Sequence, residues 1–132
     1  MNHKSKIKSE VRVPFKALLK ELVASVQGAS GAMLLEADGE AVQWYTETEV
    51  ERLRLRGAYI AMVLRGGGAA TARANLGDTG CTILQYDGAS FLGQQVEQDY
   101  FLVLELDSSA NMGQAMHRVQ PTVASIRREL TA

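Results

Sequence analysis

Tyr100-Phe101-Leu102-Val103-Leu104-Glu105-Leu106-Asp107-Ser108-Ser109-Ala110-Asn111-Met112-Gly113 is the stretch whose reading decides the fold. Its first part, Tyr100 to Leu104, is apolar without alternation, so it predicts a strand covered on both faces. Asp107, Ser108 and Ser109 each have the side chain of a helix cap. After them Met112, Met116, Val119, Val123, Ile126 and Leu130 recur at spacings of 4, 3, 4, 3 and 4, a narrow apolar seam of a last helix. Pro121 falls inside that seam and is expected to kink or split the helix.

The strand has partners upstream. Ser90 to Val96 leads into it through a turn near Glu97–Asp99, and Cys81 to Tyr86 leads into Ser90 through Asp87-Gly88, a hairpin signal. A second short apolar run, Ala32-Met33-Leu34-Leu35, meets another Asp-Gly at Asp38-Gly39 and an alternating strand carrying Val42, Trp44 and Thr46. Phe15, Leu18, Leu19, Leu22, Val23 and Val26 form one helical stripe after Pro14, with Lys16, Lys20 and Glu21 off it and Gly28 as the stop.

The helix between the two strand groups has Thr46 or Thr48 as a candidate cap, and Glu49 and Glu51 suit its first turn. Val50, Leu53, Ile60 and Leu64 make one line, widened by Tyr59 and Val63, while Leu55 and Met62 lie elsewhere around the axis. That is more apolar surface than a one-sided helix needs. Gly66-Gly67-Gly68 costs ~1 kcal/mol per residue in a helix interior, so propensity alone favours a stop at Arg65.

These pieces give an α+β fold with the element order α-β-β-α-β-β-β-α. The two strands without alternation belong side by side at the centre. That yields a five-stranded antiparallel sheet of order 2-1-5-4-3, helices on both faces, and strands two and three at the edges, where another chain can pair. Residues 1–13 read as a basic tail, Lys4, Lys6, Lys8 and Arg12 against Glu10, which a solvated arm explains; 14–130 form a single domain.

Composition excludes more than it names. The chain has 132 residues, 46% of them hydrophobic, and 14 basic against 15 acidic side chains. Near-neutral charge argues against a general nucleic-acid surface. One cysteine leaves no disulfide framework and no multi-cysteine zinc site. No run reaches the ~18 apolar residues of a membrane span, and no signal-peptide core follows the basic start, so a cytoplasmic domain is expected.

Catalytic signatures are weak. Asp78-Thr79-Gly80 matches the aspartic-protease triplet, but Asp and Gly are ordinary turn residues and no supporting motif accompanies them. Gly66-Gly67-Gly68 followed by Ala69-Ala70-Thr71 lacks the Lys of a phosphate-binding loop. Cys81 with His3 or His117 forms no recognisable nucleophile pair. No catalytic, metal-binding or cofactor-binding residue is expected. Arg52, Arg54 and Arg56 are the densest basic cluster. They fan around the helix, and pairs Glu49–Arg52 and Glu51–Arg54 account for much of it, leaving one or two arginines for a partner.

Residues 15–130 resemble the roadblock-type (dynein light chain related) domain family. The resemblance rests on Ser30 to Gly39 as its first hairpin, the small-residue helix over 50–75, and Leu84-Gln85-Tyr86-Asp87-Gly88 as its second hairpin. Most of all it rests on the strand-to-helix junction quoted first. Within the family, the chain resembles the bacterial MglB-like members. The resemblance implies a homodimer made by third strands and central helices, no cofactor, and regulation of a Ras-like small GTPase without a donated catalytic residue. A scaffold or adaptor subunit is the alternative. It also shifts the central helix towards continuing to about Asn75, with Gly57, Ala58, Ala61, Gly68 and Ala72 allowing close helix approach. The expected dimer surface is Tyr59, Ile60, Val63, Cys81 and Ile83; the expected GTPase-facing residues are Glu49, Arg52 and Arg56. Nucleic acid and membrane insertion are not expected.

Overall fold

A computed structural model describes residues 15–132. The expectations for the basic tail and for Pro14 lie outside the described residues. Helix α1 covers 15–25. Then follow β1 (Ala29–Glu36), β2 (Ala41–Thr46), α2 (Val50–Ala72), β3 (Cys81–Gln85), β4 (Ser90–Glu97), β5 (Tyr100–Leu106) and α3 (Met112–Thr131). The sheet order is β2-β1-β5-β4-β3 and every pairing is antiparallel.

The unbroken apolar strands do what their pattern requires. In β1 and β5 alternate side chains enter two separate cores. Ala32, Leu34, Leu102, Leu104 and Leu106 pack with Phe15, Leu19 and Leu22 of α1 and Val119, Val123 and Ile126 of α3. Met33, Leu35, Phe101 and Val103 pack under Leu53, Ile60, Ala61 and Leu64 of α2. Burying a side chain of this size contributes about 1.5–3 kcal/mol, and the two central strands are the elements that feed both cores.

Turn chemistry closes the hairpins. Gly39 takes φ +96°, and the Asp38 carboxylate accepts the Glu40 N–H at 3.0 Å. Tyr86 N–H donates to the Ala89 carbonyl at 3.0 Å around Asp87-Gly88. Gly28 ends α1 at φ +84°, where an added Cβ would lie 2.6 Å from the Ala110 nitrogen.

Two helix caps differ from expectation. The N-cap of α2 is Glu49, without a side-chain cap bond. Thr46 and Thr48 serve the preceding turn instead, since Thr46 Oγ1 accepts the Thr48 N–H at 3.0 Å. Asn111, not the Asp-Ser-Ser run, caps α3 by accepting the Gln114 N–H at 2.9 Å. Asp107 builds the turn before it, and hydrogen bonds from the Ser109 hydroxyl and N–H lower its carboxyl pKa.

Pro121 does not split α3, which is continuous from Met112 to Thr131. The proline is exposed, so the carbonyl that loses its partner lies on the solvent side. Val119 and Val123 are buried on either side of it, and Gln120 exchanges amide hydrogen bonds with Gln94 of β4 at 2.8 and 3.3 Å. Helix α2 runs through Gly66-Gly67-Gly68, against its propensity and as the resemblance implied, and ends at Ala72 rather than near Asn75.

Candidate interaction surface

Helix α2 has two apolar faces, and they do different work. The inner face, Leu53, Gly57, Ile60, Ala61 and Leu64, is buried on the sheet. Gly57 lies close against the Met33 thioether, which would have to shift to admit a Cβ there. The outer face carries Leu55, Tyr59, Met62 and Val63; Leu55 and Tyr59 are each 61% exposed. Nothing in the described chain covers them.

Beside α2 the sheet ends at β3, whose outer edge has no neighbour within the described chain. Strand β3 presents apolar side chains on both faces. Leu84 packs with the α2-side core and Cys81 with the α1–α3 core. Ile83, two residues from Cys81, shares its face and is 36% exposed. Burial raises the Cys81 thiol pKa, so the group is a poor nucleophile at neutral pH.

An apolar groove of about 310 Å³ runs between α2 and the β3–β4 hairpin. Tyr59 and Val63 form one wall. Tyr86 and Phe91 form the other, their rings edge to face at 6.3 Å. Arg56 stands at its rim and donates to Glu105 Oε2 at 3.0 Å. Glu105 is buried in β5, and its other oxygen accepts the Ser30 hydroxyl at 2.7 Å.

The sequence-predicted residues divide as follows. Tyr59 and Val63 are exposed on the outer face and line the groove. Ile60 also borders the groove but is 6% exposed, so it is mainly a core residue. Cys81 and Ile83 sit on the open edge strand, on the sheet face opposite α2. Arg52 is exposed and donates to Thr48 Oγ1 at 3.2 Å, one turn from the N-cap Glu49. Arg56 is committed to Glu105. Arg54 lies over the Trp44 ring, 4.6 Å from its centroid. Of the small residues expected to allow helix approach, Gly57 and Ala61 face the sheet.

Sequence reasoning missed Glu105 and Tyr86 as parts of this surface, and placed Leu55 and Met62 only as apolar residues off the main line of the helix. A carboxylate in a strand covered on both faces needs a buried partner, and that signal could have singled out Glu105.

No catalytic constellation forms among the described residues. Asp78-Thr79-Gly80 lies in an exposed irregular segment before β3. No hydrogen bond joins Cys81 to His117, which is exposed on α3. Glu36, Asp38 and Glu40 bring carboxylate oxygens within 4.8 Å of one another at the β1–β2 turn, but Asp38 is occupied in forming that turn. No helix among the described residues is long and apolar enough to cross a membrane.

No protein-family model matches the sequence, and no curated protein matches it. Solved structures do. A Roadblock/LC7 domain from Streptomyces avermitilis superposes with a TM-score of 0.81 at 19% identity, covering 89% of this chain and 98% of that one. The gliding protein MglB from Thermus thermophilus gives 0.81 at 14% identity, covering 92% of each chain. MglC from Myxococcus xanthus gives 0.67 at 24% identity, covering 87% of this chain and 98% of that one. The chain therefore has the Roadblock/LC7 fold, with the strand order expected from its hydrophobic pattern.

Proposed function

We propose that this chain acts as a homodimeric regulator that binds a Ras-like small GTPase in the cytoplasm and modulates its GTP hydrolysis. It contributes surface and supplies no catalytic side chain. The observation that carries the reading is the second apolar face of α2, left uncovered beside an open sheet edge, on the fold of the MglB structures. Exposed apolar area of this kind marks interaction sites. The dimer surface combines Tyr59 and Val63, with Ile60 reached through the groove, and Cys81 and Ile83 along β3. Glu49 and Arg52, at the start of α2, remain open to the GTPase. Arg56 takes part from the rim, while holding Glu105.

The test is turnover. The purified protein is mixed with the small GTPase encoded nearest to it, and single-turnover GTP hydrolysis is followed with and without the protein. A changed rate that disappears in Arg52→Glu is the expected outcome. The absence of both binding and a rate change would overturn the proposal. Capture of a stable non-GTPase partner, independent of nucleotide, would replace it with an adaptor role.

A further inference from the structure

The near-zero net charge conceals a division along the chain. Residues 26–111, which hold the sheet, its turns and α2, carry five arginines against twelve carboxylates. The remainder is basic. Helices α1 and α3 bear Lys16, Lys20, Arg118, Arg127 and Arg128 against Glu21 and Glu129, and all seven side chains are exposed. Residues 1–14, outside the described residues, add Lys4, Lys6, Lys8 and Arg12 against Glu10. All five lysines of the chain fall in this first segment and α1.

Topology puts the basic helices on one side. Helix α1 leads into β1, α3 follows β5, and Ala29 pairs with Leu106, so both helices fold back from the same end of the sheet. They run antiparallel over one face, tied at that end by the Gln27 N–H, which donates to Gln114 Oε1 at 3.0 Å. Their apolar stripes fill the core on that face, and α2 covers the other. Between the outward charges the exposed positions are short, with Ala17 and Ala24 on α1 and Pro121 and Ala124 on α3. Long cationic side chains extend beyond such neighbours. Arg127 is held to the Val96 carbonyl at 2.7 Å and lies 3.5 Å from Glu97, while Arg128 donates to Ser125 Oγ at 3.0 Å.

The chemistry of this layer selects the kind of partner. Binding of single-stranded nucleic acid uses exposed aromatic rings for stacking. Phe15 of α1 is fully buried, and α3 has no aromatic residue. Insertion into a bilayer uses a free apolar helix face. Here the apolar stripes of both helices are spent on the core. What is left is a broad cationic face joined to a polybasic segment, and such clusters are drawn to acidic phospholipid headgroups.

We propose that the α1–α3 layer, with the basic segment that precedes it, docks this protein on a membrane surface rich in anionic phospholipid. The contact is electrostatic and peripheral, without insertion. It leaves the outer face of α2 pointing away from the bilayer. It requires neither the dimer nor the GTPase of the reading above, so either can fail without the other.

The full chain is sedimented with vesicles of phosphatidylcholine alone and of phosphatidylcholine mixed with phosphatidylglycerol. Binding is expected to the mixed vesicles only, and it should vanish as salt shortens the Debye length. Each cation near an anionic surface is worth about fivefold in affinity. Lys16→Gln/Lys20→Gln/Arg118→Gln should therefore lose about a hundredfold, with an unchanged circular dichroism spectrum. Arg65→Gln/Arg73→Gln, on α2 and at its end, should change affinity by less than about twofold. Absence of binding to the mixed vesicles at low salt overturns the proposal. Equal losses in the two variants also overturn it, because net charge and not this face would then be acting. Full binding by the first variant, with loss in Lys4→Gln/Lys6→Gln/Lys8→Gln, overturns the role of the helices. Displacement from the vesicles by RNA or duplex DNA, but not by an equal charge of free phospholipid headgroup, would assign the face to nucleic acid instead.

Discussion

The sheet has two edges, and they are finished differently. At β2 the Trp44 N–H is taken by the Gln43 side chain at 3.0 Å, and the Trp44 ring lies under the Arg54 guanidinium. The end of the strand is tied back as well, with the Thr46 hydroxyl donating to the Ser30 carbonyl at 3.1 Å. At β3 the apolar side chains of Cys81, Ile83 and Leu84 meet the edge with no such cover, and an apolar groove runs alongside. Open edges template pairing with other chains, and proteins blunt them with charge and local hydrogen bonds. Of the two edges, β3 is the one better suited to pairing with another chain.

The largest effect is expected at the anchor that holds α2 between these edges. Glu105→Ala removes the buried partner of Arg56 and Ser30. It should cost about 2–3 kcal/mol in chemical denaturation, below the full value for a buried pair because Arg56 is partly solvated. An unchanged midpoint would show that α2 is held by its inner face alone. Ile83→Asp acts on the open edge. It should weaken self-association by about 2 kcal/mol, roughly thirtyfold, through lost apolar burial, with the monomer still folded by circular dichroism. An undiminished dimer would move the interface away from β3. Gln43→Ala acts on the blunted edge and should cost about 0.5–1 kcal/mol. Its sharper signature is light scattering, where species larger than a dimer should appear as β2 becomes available. Scattering identical to wild type would mean that Arg54 and Trp44 suffice to close that edge.

How far this contrast was legible in the sequence depends on the range of the interaction. The central place of β1 and β5 follows from their unbroken apolar runs, because a strand with two apolar faces has to be covered twice. Strand order followed from that and from Asp38-Gly39 and Asp87-Gly88. Gly28 was readable as a helix stop because its chemistry is local. The Arg56–Glu105 pair joins residues 49 apart in sequence, and no local pattern announces it. Pro121 misled, and propensity taken alone misled at the glycine triplet, where the family resemblance pointed to a continuous helix. Propensity counts what a residue does to its own helix, whereas the burial of Val119 and Val123 against the sheet decides whether α3 stays whole. The outer face of α2 was half legible. Its excess of apolar residues was plain, but Ile60 and Tyr59, adjacent in sequence, separate into core and surface once the axis is placed.

The cation over Trp44 also gives the protein a built-in optical probe. The chain has a single tryptophan, and it sits at the closed end of the sheet, beneath the first half of α2. Its fluorescence therefore reports whether that half of the helix is docked. A titration that assembles copies through the far edge leaves this signal flat, while a denaturant that lifts α2 changes it at once. Emission and scattering, recorded on one sample, separate loss of structure from loss of company.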